Sequence, residues 1–120
     1  MNITQSPNMR THYLIPNKSD ALYGCVVNGV GMQDVEPHAD YPINNHPTGY
    51  MFDTERGRIL QEYQLLYIVK GSGKFSKSSG TYDISQGTVI LLRPGVWHSY
   101  KPLKESGWCE FFIGFQGELV

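Results

Sequence analysis

The stretch from Gly87 to Tyr100, GTVILLRPGVWHSY, constrains the fold more than any other part of the chain. A turn glycine precedes an unbroken apolar run, Val89-Ile90-Leu91-Leu92, of the kind expected for a strand buried on both faces. Pro94-Gly95 must then turn the chain. If an extended chain resumes at Trp97, its period of two puts His98 and Tyr100 on one face and Trp97 on the other. A buried strand thus delivers two hydrogen-bonding side chains to one place, which is how a pocket is built on a β scaffold.

The rest of the sequence agrees with a β-rich domain. Thirteen Gly, seven Pro and eight Tyr in 120 residues favour short strands and many turns. The length suits one domain. Residues 1–18 read as a loose N-terminal arm and residues 19–120 as the domain proper. Ala21 to Asn28 reads as a first strand, Gly29 to Pro47 as a long loop, and Thr48 to Phe52 as a short strand. Ile59 to Lys70 (ILQEYQLLYIVK) is the longest apolar segment. Its Tyr, Ile and Val content and the following Gly71-Ser72-Gly73, read as a hairpin turn, favour strand over helix. Short strands follow at Lys74 to Ser76 and Thr81 to Ile84. After a polar loop, Lys101 to Gly107, Trp108 to Phe115 is the last clear strand. About eight short strands with regular turns predict a sandwich, barrel or jelly roll.

Composition also excludes functions. Ten basic and eleven acidic residues leave a net charge of −1, with no basic face for nucleic acid. No apolar run approaches the ~18–20 residues of a membrane span, and the N-terminus has no signal-peptide pattern, so the expectation is a cytoplasmic protein. Cys25 and Cys109 lie far apart and read as reduced thiols. P-loop, GxGxxG, GxSxG and HExxH motifs are missing.

Four groups of residues could carry chemistry. His98 and Tyr100 share one face. Trp108, Glu110 and Phe112 share a face of the last strand, where an acid between two aromatics suits a sugar: the rings stack on its apolar faces and the acid bonds its hydroxyls. The alternative is that this face is outward and Glu110 is solvated. Arg56 and Arg58 flank Gly57, either as ligand-binding donors or as a solvated turn, with Arg58 paired to Glu62. His38, Asp40 and His46 could bind a metal, but their spacing matches no ligand pattern.

The order of these parts resembles a cupin. Gly87, Pro94, Gly95 and His98 are similar to the second cupin motif. In the first motif, counted back from Gly71, the Glu position is Gln64 and the two His positions fall near Arg58 and Leu60, so three of four metal ligands are missing. The phrases HPTGYMF, GRILQEYQLLYIVKGSGKF, GTVILLRPGVWHSY and GWCEFFIGFQG resemble, more closely, the N-terminal cupin domain of AraC-type transcription regulators, from about residue 22 onward. That resemblance implies an all-β, cupin-type double-stranded β-helix (jelly roll) with no metal and no cofactor. It implies a small effector, often a sugar, bound in the barrel and sometimes covered by the N-terminal arm. It also implies a homodimer, and DNA contacts made only by a helix-turn-helix domain beyond Val120. Arg56 falls where the arabinose-responsive member uses an Arg on the sugar, and Tyr100 matches a ligand-binding Tyr. Glu110 stands where that member has a His, and Phe112 where it has a Trp. The expected ligand-binding set is Arg56, His98, Tyr100, Trp108, Glu110 and Phe112. The rival readings are a stand-alone cupin enzyme, a metal-dependent isomerase or dioxygenase, and a domain that serves only to dimerise.

Overall fold

The computed structural model describes residues 2–6, 9–15, 19–39 and 56–120. Among the described residues, eight strands form in chain order: β1 (Asn2–Ser6), β2 (Met9–Tyr13), β3 (Val26–Val35), β4 (Tyr63–Lys77), β5 (Gly80–Ser85), β6 (Val89–Leu92), β7 (Ser99–Pro102) and β8 (Trp108–Gln116). A 3-10 turn, Asp20–Tyr23, precedes β3. Every pairing is antiparallel. Six strands run side by side as β1-β2-β3-β8-β4-β6, and the second half of β4 is flanked by β5 and β7.

β4 belongs to both arrays. Residues up to Gly71 pair with β8 and β6, and residues from Ser72 on pair with β5 and β7. The expected hairpin turn at Gly71-Ser72-Gly73 is therefore corrected: the strand passes straight through. Gly71 has φ +88°, and a side chain there would run into the backbone of Gly107 and Trp108. Glycine lets the chain bend from one array into the other without breaking the ladder.

The register lines up the inward side chains in rows. One row is Thr11, Gly31, Phe112, Leu66 and Ile90. The next is Met9, Gln33, Glu110 and Ile68. A third, at the other side, is Tyr13, Gly29, Gly114, Gln64 and Leu92. The core joins Val35, Leu66, Ile68, Ile90, Leu92, Trp108 and Phe112 to Ile84 and Tyr100 from the second array. Each such side chain contributes roughly 1.5–3 kcal/mol by leaving water.

The outward rows are also apolar. His12, Val30, Ile113, Leu65 and Leu91 form one, and Arg10, Met32, Phe111, Tyr67 and Val89 the other. Val89 and Leu91 are 59% and 52% exposed, whereas Ile90 and Leu92 are buried. So β6 is buried on one face, not two as its sequence suggested.

Three further expectations change. Residues 1–18, expected as a loose arm, supply a hairpin of β1 and β2 that extends the sheet from β3, and Met9 is fully buried. The first part of Ala21–Asn28 is the 3-10 turn, and the strand instead covers Val26–Val35, much of which was read as loop. The expected strand Thr48–Phe52 lies outside the described residues, as do Asp40 and His46. His38 is described and exposed, its backbone N–H bonded to Lys104 O. Among the described residues, no helix is long and apolar enough to cross a membrane.

Candidate functional site

Two short segments are pinned to each other by their backbones. Arg58 N–H donates to His98 O at 2.8 Å, and His98 N–H donates to Arg58 O at 3.0 Å. The Pro94-Gly95 turn is held nearby through Gly95 N–H to Leu60 O, 2.9 Å. This bridge fixes where the Arg58 and His98 side chains start.

The Arg58 guanidinium then acts as the hub. Its Nε donates to His98 Nε2 at 2.9 Å, and its Nη2 donates to Tyr100 OH at 2.7 Å and to Gln64 Oε1 at 3.2 Å. The His98 and Tyr100 rings stack, centroids 5.9 Å apart and 7° from parallel. The guanidinium carbon lies 5.5 Å from the Tyr100 ring centroid. A donor on Nε2 makes that nitrogen the acceptor and leaves the imidazole proton on Nδ1, 3.4 Å from Val96 O. Burial, and then the charge of Arg58, push the His98 pKa down to about 4, with the Val96 carbonyl pulling weakly the other way. His98 is therefore a neutral acceptor at physiological pH.

From Tyr100 the wall continues along β8. The Tyr100 and Trp108 rings are 6.0 Å apart and tilted by 39°. Trp108, Glu110 and Phe112 all face inward and are buried. Glu110, 1% exposed, accepts a hydrogen bond from Gln33 Nε2 on β3 at 2.9 Å. At the other side of the inward face, Asn28 Nδ2 donates to Glu62 Oε2 at 2.7 Å. Burial, followed by the charge of Glu62, raises the Tyr13 pKa.

The profile of the AraC-like ligand binding domain matches residues 39–120. The chain belongs to this family. A stretch of 62 residues, 52% of the chain, is 29% identical to the lactose operon transcription activator of Staphylococcus xylosus and spans 22% of that protein. The chain thus corresponds to a small part of that relative's length. Among solved structures, a cupin protein from Bacteroides fragilis aligns with TM-score 0.60 at 11% identity, over 100% of this chain and 86% of its own. The Cnp3 cupin domain of Schizosaccharomyces pombe aligns with TM-score 0.53 at 13% identity, over 99% and 70%. A predicted oxalate decarboxylase from Thermotoga maritima aligns with TM-score 0.54 at 15% identity, over 91% and 80%. At these identities the likeness shows the fold alone: a cupin.

This AraC-like domain does not offer the donor set of a metal cupin. The positions that matched the cupin ligands are Arg58, Leu60, Gln64 and His98. A guanidinium and a leucine side chain cannot ligate, and His98 Nε2 is already taken up by Arg58. Among the described residues, no three His, Cys, Asp or Glu side chains come together as a metal site.

Of the six residues expected on the ligand, the AraC-like domain places five on the inward face: His98, Tyr100, Trp108, Glu110 and Phe112. Arg56 is exposed, and its carbonyl accepts the Trp97 indole N–H at 2.8 Å. The arginine that joins the cluster is Arg58, which the sequence presented either as a ligand-binding donor or as a solvated turn residue paired to Glu62, and which was left out of the expected ligand set. Gln64 was noted only as the residue standing at the cupin Glu position, and Gln33 went unnoticed. Gln64 has the same parity as Leu66 and Ile68, a signal that could have marked it as inward.

Proposed function

We propose that this AraC-like domain binds a small, polar, uncharged effector inside the barrel, a sugar or a related polyhydroxylated metabolite. The carrying observation is the neutral-acceptor cluster of His98, Gln64 and Tyr100 built around the Arg58 guanidinium, next to the aromatic wall of Trp108 and Phe112. Aromatic faces meet the C–H faces of a sugar ring, and the cluster exchanges hydrogen bonds with its hydroxyls. The relative that activates a lactose operon supports the same chemistry. The domain is a binding module rather than an enzyme. In the full-length protein, a cytoplasmic homodimeric regulator, effector occupancy shifts the populations of arrangements available to a separate helix-turn-helix DNA-binding domain.

The direct test is calorimetric titration of the protein with lactose, galactose, glucose and arabinose. At least one is expected to bind. Tyr100→Phe, which removes the hydroxyl that Arg58 holds, is expected to weaken that binding about tenfold, the loss of one good hydrogen bond. Failure of all four to bind removes the sugar reading.

A further inference from the structure

A separate cleft lies at the edge of β6. Phe75 and Lys77 from the end of β4, Leu92 and Arg93 from the end of β6, and Val96 and Trp97 from the turn that follows line it. Leu91 and His98 complete it. Leu91 is exposed on the outer side of β6 and Leu92 buried on the inner side, so the cleft straddles the strand's edge. Among the described residues, β6 pairs only with β4, which leaves that edge free. β4 and β7 pair Ser76 with Ser99, so the next positions, Lys77 and His98, come side by side at the cleft. His98 is the one lining residue shared with the Arg58 cluster.

The cleft is small and positive. Its volume of about 80 Å³ is room for roughly two or three waters, enough for a compact group and too little for a sugar ring. Lys77 and Arg93 are exposed, and no carboxylate lines the cleft. Among the described residues, neither cation is in an ion pair. The Lys77 ammonium lies 5.4 Å from the Tyr82 ring centroid, a contact that leaves its charge uncancelled. The remaining walls are apolar. The Trp97 indole N–H is already given to Arg56 O at 2.8 Å, so Trp97 offers the cleft its ring alone.

We propose that this cleft is a binding site for a short aliphatic carboxylate such as propionate, held by Arg93 and Lys77 with its alkyl end against Phe75, Val96 and Trp97. The guanidinium fork matches a carboxylate with two parallel N–H···O bonds, and the ammonium adds a point charge. The apolar walls reward an alkyl group. A bare inorganic anion gains nothing from them and loses hydration beside them. The site is distinct from the effector cluster, because a neutral sugar gains nothing from two unpaired cations.

The test is a titration of the protein with sodium propionate followed by amide NMR, with propionate replacing chloride so that ionic strength stays constant. Saturable shifts are expected at residues 75–77 and 91–98. Arg93→Gln and Lys77→Gln are each expected to weaken binding about fivefold, as for one exposed charge pair, and the double variant to remove saturation. Both side chains are exposed, so the variants are expected to melt close to wild type. Propanol has a similar shape without the charge; equal binding at the same amides would overturn the role of the two cations. Inorganic phosphate binding as tightly as propionate would overturn the carboxylate assignment. Unsaturated shifts spread over the whole surface would overturn the site. Each of these outcomes is separate from the sugar titration, so the site can fail while the effector reading stands, and the reverse.

Discussion

His98 shows how one residue's surroundings set its behaviour. Folded, its pKa is about 4; unfolded, it returns to the ordinary 6.5. Between those values the unfolded chain binds a proton that the folded protein refuses. Stability therefore falls as pH drops from about 6.5 to about 4, by at most roughly 3.4 kcal/mol, and is constant in this respect above 6.5. Melting temperature followed over that window should show this slope, and His98→Gln should flatten it whatever its effect on absolute stability. A slope unchanged in His98→Gln would place the titration elsewhere. The pairing of His98 with Tyr100 was legible because both stand on one extended segment with a fixed period of two. The choice between Arg56 and Arg58 was not, because Gly57 lies between them at φ +72° and ends any simple alternation. Thr11 and Gln33 were hidden for another reason: their segments look like an arm and a glycine-rich loop, and only pairing partners far along the chain make strands of them.

At the scale of elements, the strands that sequence misjudged are those with unusual neighbours. β3 carries Asn28, Gly29, Gly31 and Asp34, a composition that normally marks a loop. Gly31 is required because the Phe112 ring and the Arg10 carbonyl occupy the place of a side chain. Asn28 falls where the register between β3 and β8 slips by one residue, a bulge that frees its amide to reach Glu62. β6 was read as doubly buried because both its faces are apolar, which leaves the sequence with no alternation to reveal the inside. Gly71 is where β4 is most sensitive. Gly71→Ala is expected to cost more than the ~1–2 kcal/mol of a left-handed non-glycine residue, since its methyl group also meets the Trp108 Cα at 2.7 Å. Chemical denaturation should show a lower midpoint. A midpoint within error of wild type would mean that the passage of β4 between the arrays does not need glycine.

For the whole molecule, the architecture was the most legible property. Strand-forming segments spaced by Gly and Pro turns pointed to a sandwich, barrel or jelly roll, the family resemblance narrowed these to the jelly roll, and cupins at 11–15% identity share that fold. The N-terminal hairpin escaped that logic, since its two polar strands gain stability only by adding to β3. The outward face of the sheet has a different consequence. Val30, Leu65, Tyr67, Val69, Val89, Leu91 and Phe111 are exposed, and a groove of about 360 Å³ at Val30, Met32 and Phe111 also reaches Thr11, Gly31 and Phe112 of the inward row. A net charge of −1 gives almost no long-range repulsion to keep such faces apart. In solution this chain should therefore behave as a salting-out protein. Ammonium sulfate is expected to strengthen its self-association and dilution to reverse it, and Leu91→Lys with Phe111→Ser should shift light-scattering profiles toward the monomer while leaving the melting temperature close to wild type.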